Sequence, residues 1–143
     1  MSIRPFVVFP ENRPPSLDVV GEQITVLASK EATGGYEVFL QDGLEGSGPV
    51  PHSHPWDESF YVIRGDVEFA IDEKPMTATP GTLVHLPAGT AHWFRFGKGG
   101  GQMVSMTGQG SEASSMFTDI DSVGSQDVEM LRNACERNGL RIL

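Results

Sequence analysis

Apolar and polar residues alternate with a period of two through the middle of this chain, the repeat of strands with one face buried. The clearest run is Val67-Glu68-Phe69-Ala70-Ile71-Asp72, reached from Ser59–Ile63 through the turn Arg64-Gly65-Asp66. Before it, Ile24–Leu27 and Tyr36–Gln41 read as strands. After it come Met76–Thr79, Leu83–Leu86, Ala91–Phe96 and Met103–Met106, separated by Pro80-Gly81 and by the glycine-rich turn Gly97–Gly101. Short strands punctuated this regularly predict an antiparallel sandwich or barrel.

The two ends depart from this pattern. Residues 1–20 hold the apolar stretch Phe6-Val7-Val8-Phe9 followed by Pro10, Pro14 and Pro15, and read as an extended arm along a sheet edge or as a free tail. Thr107–Ser115 is rich in Gly and Ser and reads as a loop. About Gln126–Asn138 the spacing turns helical: Ser125 is placed to cap, Val128, Leu131 and Cys135 fall on one face, and Gly139 is placed to end the helix. The chain therefore divides into an arm (1–20), a β-sandwich or barrel (21–110), and a loop with a C-terminal helix packing on it (111–143).

Composition narrows the function. A length of 143 residues fits one domain, and 17 Gly with 10 Pro favour turns between strands over long helices. Nineteen acidic against ten basic residues leave a net charge of −9, which disfavours nucleic acid and anionic membranes as partners. No apolar run is long enough for a signal segment or a membrane span. A single cysteine, Cys135, excludes an internal disulfide framework and suits a reducing cytoplasm. Its place on an apolar helix face favours packing over catalysis.

Three of the four histidines need an explanation. His52 and His54 stand two apart, so on an extended segment both rings project to one side. Glu58 follows after Pro55-Trp56-Asp57, and His92 lies in a segment able to run beside the first. Imidazoles with one carboxylate suit a divalent first-row metal, whereas His-x-His alone also occurs as a solvated loop pair. His85 alternates out of phase with Val84 and Leu86 and reads as a surface or interface residue. Asp57 reads as a rim residue with Trp56, and Trp93 and Arg95 as outward-facing. No phosphate cradle, dinucleotide fingerprint or independent Ser-His-Asp set is visible.

The spacing around these residues is Gly46-x5-His52-x-His54-x3-Glu58-x6-Gly65, then Gly81-x5-Pro87-x-Gly89-x2-His92. In both segments the chain resembles the cupin family, position by position through the last histidine. The resemblance implies an all-β fold, a double-stranded β-helix (jelly-roll) barrel with the N-terminal arm and short C-terminal helix added. It also implies one divalent transition metal (Fe, Mn, Ni, Zn or Cu) held by His52, His54, Glu58 and His92. One position departs: where the second motif usually carries Asn, this chain has Phe96. Strand parity places Phe60, Phe94 and Phe96 inward with the ligands, and with Phe69 and Met103 they form a candidate substrate pocket or ordinary core.

Among cupins the chain looks like the small quercetinase-like members. That likeness implies a dioxygenase acting on a small hydrophobic enol, diketone or phenolic compound, with Glu58 as ligand and as base. The alternatives are a metal-dependent lyase or isomerase, and a non-catalytic ligand-binding protein. Arg64 and Arg95 are out of phase with the ligands, which disfavours a phosphosugar. The resemblance further suggests a homodimer.

Overall fold

In the computed structural model, which describes residues 2–124 and 127–143, two antiparallel sheets face each other. Among the described residues eleven strands run as β1 (Leu17–Val19), β2 (Glu22–Ala28), β3 (Glu37–Gly43), β4 (His52–Ser53), β5 (Glu58–Arg64), β6 (Val67–Ile71), β7 (Lys74–Ala78), β8 (Leu83–Leu86), β9 (His92–Phe96), β10 (Gly101–Thr107) and β11 (Arg141–Ile142). One sheet has the order β1-β2-β3-β10-β5-β8 and the other β11-β4-β9-β6-β7. This is the jelly-roll barrel that the resemblance implied. Alternation along each strand builds the filling between the sheets: Phe60, Val62, Val84, Leu86 and Met103 meet Val67, Phe69, Ala78, Phe94 and Phe96 in one closed cluster. Tight turns make such short strands possible. At Gly65, φ is +77° and an added Cβ would sit 2.2 Å from the Gly100 carbonyl oxygen, so only glycine fits.

Helices cover one end. A single turn, α1 (Lys30–Thr33), joins β2 to β3, and α2 (Ala113–Val123) and α3 (Val128–Arg137) follow β10. The loop expected over Thr107–Ser115 is therefore shorter than its composition suggested, because α2 begins at Ala113. Ser, Thr and Asp disguise this helix, but Ala113, Met116, Phe117 and Ile120 have the i, i+3, i+4, i+7 spacing of an apolar face. A buried carboxylate pins it down: Glu37 accepts hydrogen bonds from Ser111 Oγ (2.9 Å), Ser114 N (3.1 Å) and Ser114 Oγ, and from Lys30 N (3.2 Å).

Helix α3 starts with Asp127 accepting from Met130 N, and Gly139 follows its end with φ +91°. Ser125, expected to cap it, lies with Gln126 and Met1 outside the described residues. A second apolar cluster, including Ile24, Phe39, Trp56, Met116, Ile120, Ala134 and Leu140, seals the helices against the sheet end. Within the stretch read as an arm, Leu17–Val19 is the edge strand β1, while residues 2–9 carry no strand and are largely exposed. The C-terminal strand β11, for which the sequence reading had no element, pairs with β4 beside the metal-ligand candidates.

Candidate metal centre

His52 lies in β4 and His92 opens β9, and the two are directly paired across the sheet. His54 follows β4, and Glu58 opens β5 in the other sheet. Two tethers set the separation of these segments. Gly89 N donates to the His54 carbonyl (2.9 Å), and Asp57 Oδ1 accepts from Ala88 N (2.8 Å). Asp57 thus braces the turn that leads to His92. His85 is exposed, its Nδ1 2.8 Å from Ser59 Oγ, away from the cluster.

The three imidazoles are buried and their ligand atoms lie within 4.8 Å of one another. Each Nδ1 is committed: His52 donates to the Val50 carbonyl (2.7 Å), His54 to that of Trp56 (2.9 Å) and His92 to that of Thr90 (2.8 Å). That commitment leaves the lone pair on Nε2 in all three rings. The Glu58 carboxylate completes the group, with Oε2 3.3 Å from His54 Nε2 and 3.1 Å from His92 Nε2. A carboxylate facing two imidazole lone pairs is a set of acceptors that needs a proton or a cation between them. Three nitrogens and one oxygen are the donor set of a divalent transition metal, so these residues fit one.

Charge states agree with the geometry. Burial, helped by nearby His92, pushes His52 down to about 4, which keeps it neutral near pH 7. Burial would raise the Glu58 carboxyl, but its contacts with His54 and His92 hold it below the usual carboxylate range. Burial would lower His92, yet the Glu58 contact raises it. Trp56 stacks on His54, with ring centroids 4.6 Å apart and planes within 6°, so it holds that ring in place rather than standing at an open rim.

A cavity of about 360 Å3 opens from this centre toward the helices. Its wall is mainly apolar, with Val19, Phe94, Met116, Ile120, Leu131 and Leu140 among its residues. Of the five pocket candidates only Phe94 reaches it. Phe60, Phe69, Phe96 and Met103 are packed into the closed cluster, because inward parity selects the barrel interior but not which end of it. The predicted helix face of Val128, Leu131 and Cys135 borders the same cavity. Burial, with Glu136 adding to it, raises the Cys135 thiol, so it stays protonated.

Three buried polar residues in the cavity wall were missed from sequence: Glu22, Gln41 and Thr107. The available signal was a polar side chain in phase with buried neighbours, Glu22 with Ile24 and Gln41 with Phe39. Burial pushes the Glu22 carboxyl up from 4.5 to about 7, against a hydrogen bond from Gln41 Nε2 (2.8 Å) and with the charge of Glu58 adding to the rise. The unfolded chain loses this proton near the ordinary value, and the folded chain keeps it until about pH 7. Between those values the folded state binds more protons, so stability falls as pH rises, by roughly 3 kcal/mol from this group. Metal-free Glu22→Gln should match the wild type near pH 4.5 and exceed it by about 2–3 kcal/mol near pH 8 in urea unfolding. A gap that does not change with pH would mean that Glu22 ionises normally.

Comparison with known proteins agrees with this picture. Residues 39–104 match the family described as "Cupin domain". Residues 39–104 are a cupin domain. Solved structures of similar fold include KdgF from Halomonas sp. (TM-score 0.69, 16% identity, 78% of this chain and 99% of that one). An RmlC-like cupin from Shewanella frigidimarina NCIMB 400 is equally similar (TM-score 0.69, 17% identity, 80% and 99%). In sequence, the chain is 31% identical over 80 residues to a quercetin 2,3-dioxygenase of Bacillus subtilis (strain 168), a match covering 54% of the chain and 24% of that relative. The alignment thus spans about a quarter of the relative's length. Among the described residues no helix is long and apolar enough to cross a membrane.

Proposed function

We propose that this protein is a metal-dependent dioxygenase acting on a small, hydrophobic enol, diketone or phenol, with one divalent transition metal on His52, His54, Glu58 and His92. The observation that carries this reading is the group of three Nε2 lone pairs with one carboxylate at the end of an apolar cavity. A divalent ion in that group would acidify a coordinated enol or phenol oxygen and give access to dioxygen chemistry. Glu58 is ionised near neutral pH and faces the cavity, placed to take the substrate's acidic proton at a carboxylate oxygen. Trp56 keeps His54 oriented, and the apolar wall excludes water while binding a hydrophobic body. The sequence similarity to a quercetin 2,3-dioxygenase supports the same chemistry.

Oxygen uptake tests it. Protein reconstituted separately with Fe(II), Mn(II), Ni(II), Cu(II) and Zn(II) should consume O2 with at least one member of a diketone and phenol panel, and should stall under argon. Turnover that continues under argon would make it a lyase or isomerase, and binding without any product would make it a ligand-binding protein.

We also propose a homodimer formed on the outer face of the larger sheet. Tyr61, Leu83, Ile63 and Met106 are exposed there, and Tyr61 and Leu83 are cross-strand neighbours. Sedimentation equilibrium should give twice the chain mass, and Tyr61→Lys with Leu83→Lys should return it to one. A wild-type monomer would end this proposal.

A further inference from the structure

The cavity has one polar strip, contributed by β2, β3 and β10. Thr107 is the informative member. Its hydroxyl is buried, lies in a residue of the cavity wall, and has no hydrogen-bond partner among the described residues. An orphaned buried hydroxyl is unfavourable, and polar atoms left in that state mark places where a further group belongs. Thr107 pairs with Glu58 across β10 and β5, so the orphan lies beside the metal-ligand candidates.

Glu22 and Gln41 extend the strip. Gln41 is locked at both ends of its amide: Ser105 Oγ donates to its Oε1, and its Nε2 donates to Glu22 Oε1. This chain of bonds ends at Glu22, which leaves that carboxyl with capacity for one more partner on the cavity side. Among the described residues the wall offers no buried Lys or Arg, which disfavours an anionic ligand. Arg132 lies in the wall as well, but it is exposed and faces Glu136 at 3.8 Å.

We propose that Glu22, Gln41 and Thr107 form a polar subsite that hydrogen-bonds a hydroxyl of an uncharged ligand, whose apolar body lies between this strip and the metal centre. The ligand class is an apolar skeleton carrying two separate oxygen functions, one for each end of the cavity. This rests on the cavity being the substrate site but not on the use of oxygen.

The test is binding to the full chain loaded with Zn(II), without turnover. Calorimetric titration with 2-naphthol and with the 1,5-, 2,6- and 2,7-naphthalenediols compares one hydroxyl with two on a common skeleton. The best diol should bind the wild type about ten-fold more tightly than 2-naphthol, the worth of one good hydrogen bond. Thr107→Val and Glu22→Leu should each bring that ratio close to one with the 2-naphthol affinity little changed. A wild type that binds 2-naphthol but favours no diol would overturn the subsite and leave the proposed function standing, as would a diol preference that survives both variants. Failure to bind any naphthol would remove the substrate cavity and the subsite together, whereas oxygen uptake reports separately on the dioxygenase reading.

Discussion

His54→Ala should lower the affinity for a divalent metal by at least about 100-fold while the fold persists. Loss of an outer partner of a ligand already costs about 10–100-fold, and here a donor itself is removed. The chain's fourth histidine, His85, is exposed and bonded to Ser59, so it offers no imidazole in place of the lost one. The substitution also leaves the Trp56 carbonyl without its ring donor and the Trp56 face without its stacking partner. These losses are local. The closed cluster of Phe60, Val62, Val67 and their neighbours contains none of the ligand histidines, so the barrel retains its filling. Zinc titration followed by calorimetry, with circular dichroism for the fold, measures both outcomes. Retention of one tightly bound ion per chain would refute the ligand assignment.

Phe96→Asn should unfold the protein more readily rather than redirect its substrate preference. The position is where the cupin motif usually has Asn, which made Phe96 a natural candidate for substrate contact. The fold gives it another task. Its ring is buried, meets Phe94 edge to face at 5.9 Å, and lies over glycines of the facing sheet. A Cβ at Gly43 would come within 2.0 Å of Phe96 Cδ2, and one at Gly101 within 3.1 Å of Cδ1. The phenyl ring and the two glycines are therefore complementary parts of one contact. An Asn there leaves a void and a buried amide without partners, together about 4 kcal/mol or more. Against a typical total of about 5–15 kcal/mol, that is a large share. Thermal unfolding should shift down by roughly 10 °C or more, with metal content per folded chain unchanged. An unshifted transition together with a new substrate preference would place Phe96 in the functional wall after all.

Most of the barrel was legible because a strand's face is written in its alternation, and cross-strand pairing extends rather than reverses it. Leu83–Leu86 appears with the bounds expected, and the seven other strands read from the sequence differ only in where they start and stop, whereas β1 and β4 were not read as strands. Helix α2 was hidden because Ser114, Ser115, Thr118 and Ser122 have loop-like composition, and its stability comes from Glu37, more than seventy residues earlier in the chain. Strand β11 is two residues long and exists only because β4 offers it an edge.

Sequence alone determined that His52, His54, Glu58 and His92 are the residues to consider, since their spacing and the glycines around them are local properties of the chain. Only the tertiary structure decided what surrounds them. Whether an inward side chain lines the cavity or fills the closed core depends on its height along the barrel. That height follows from strand register and from the helices closing one end, and neither is a property of any single strand. For that reason Phe96 and Met103 lie in the core, while Glu22, Gln41 and Thr107, from three different strands, share the cavity wall.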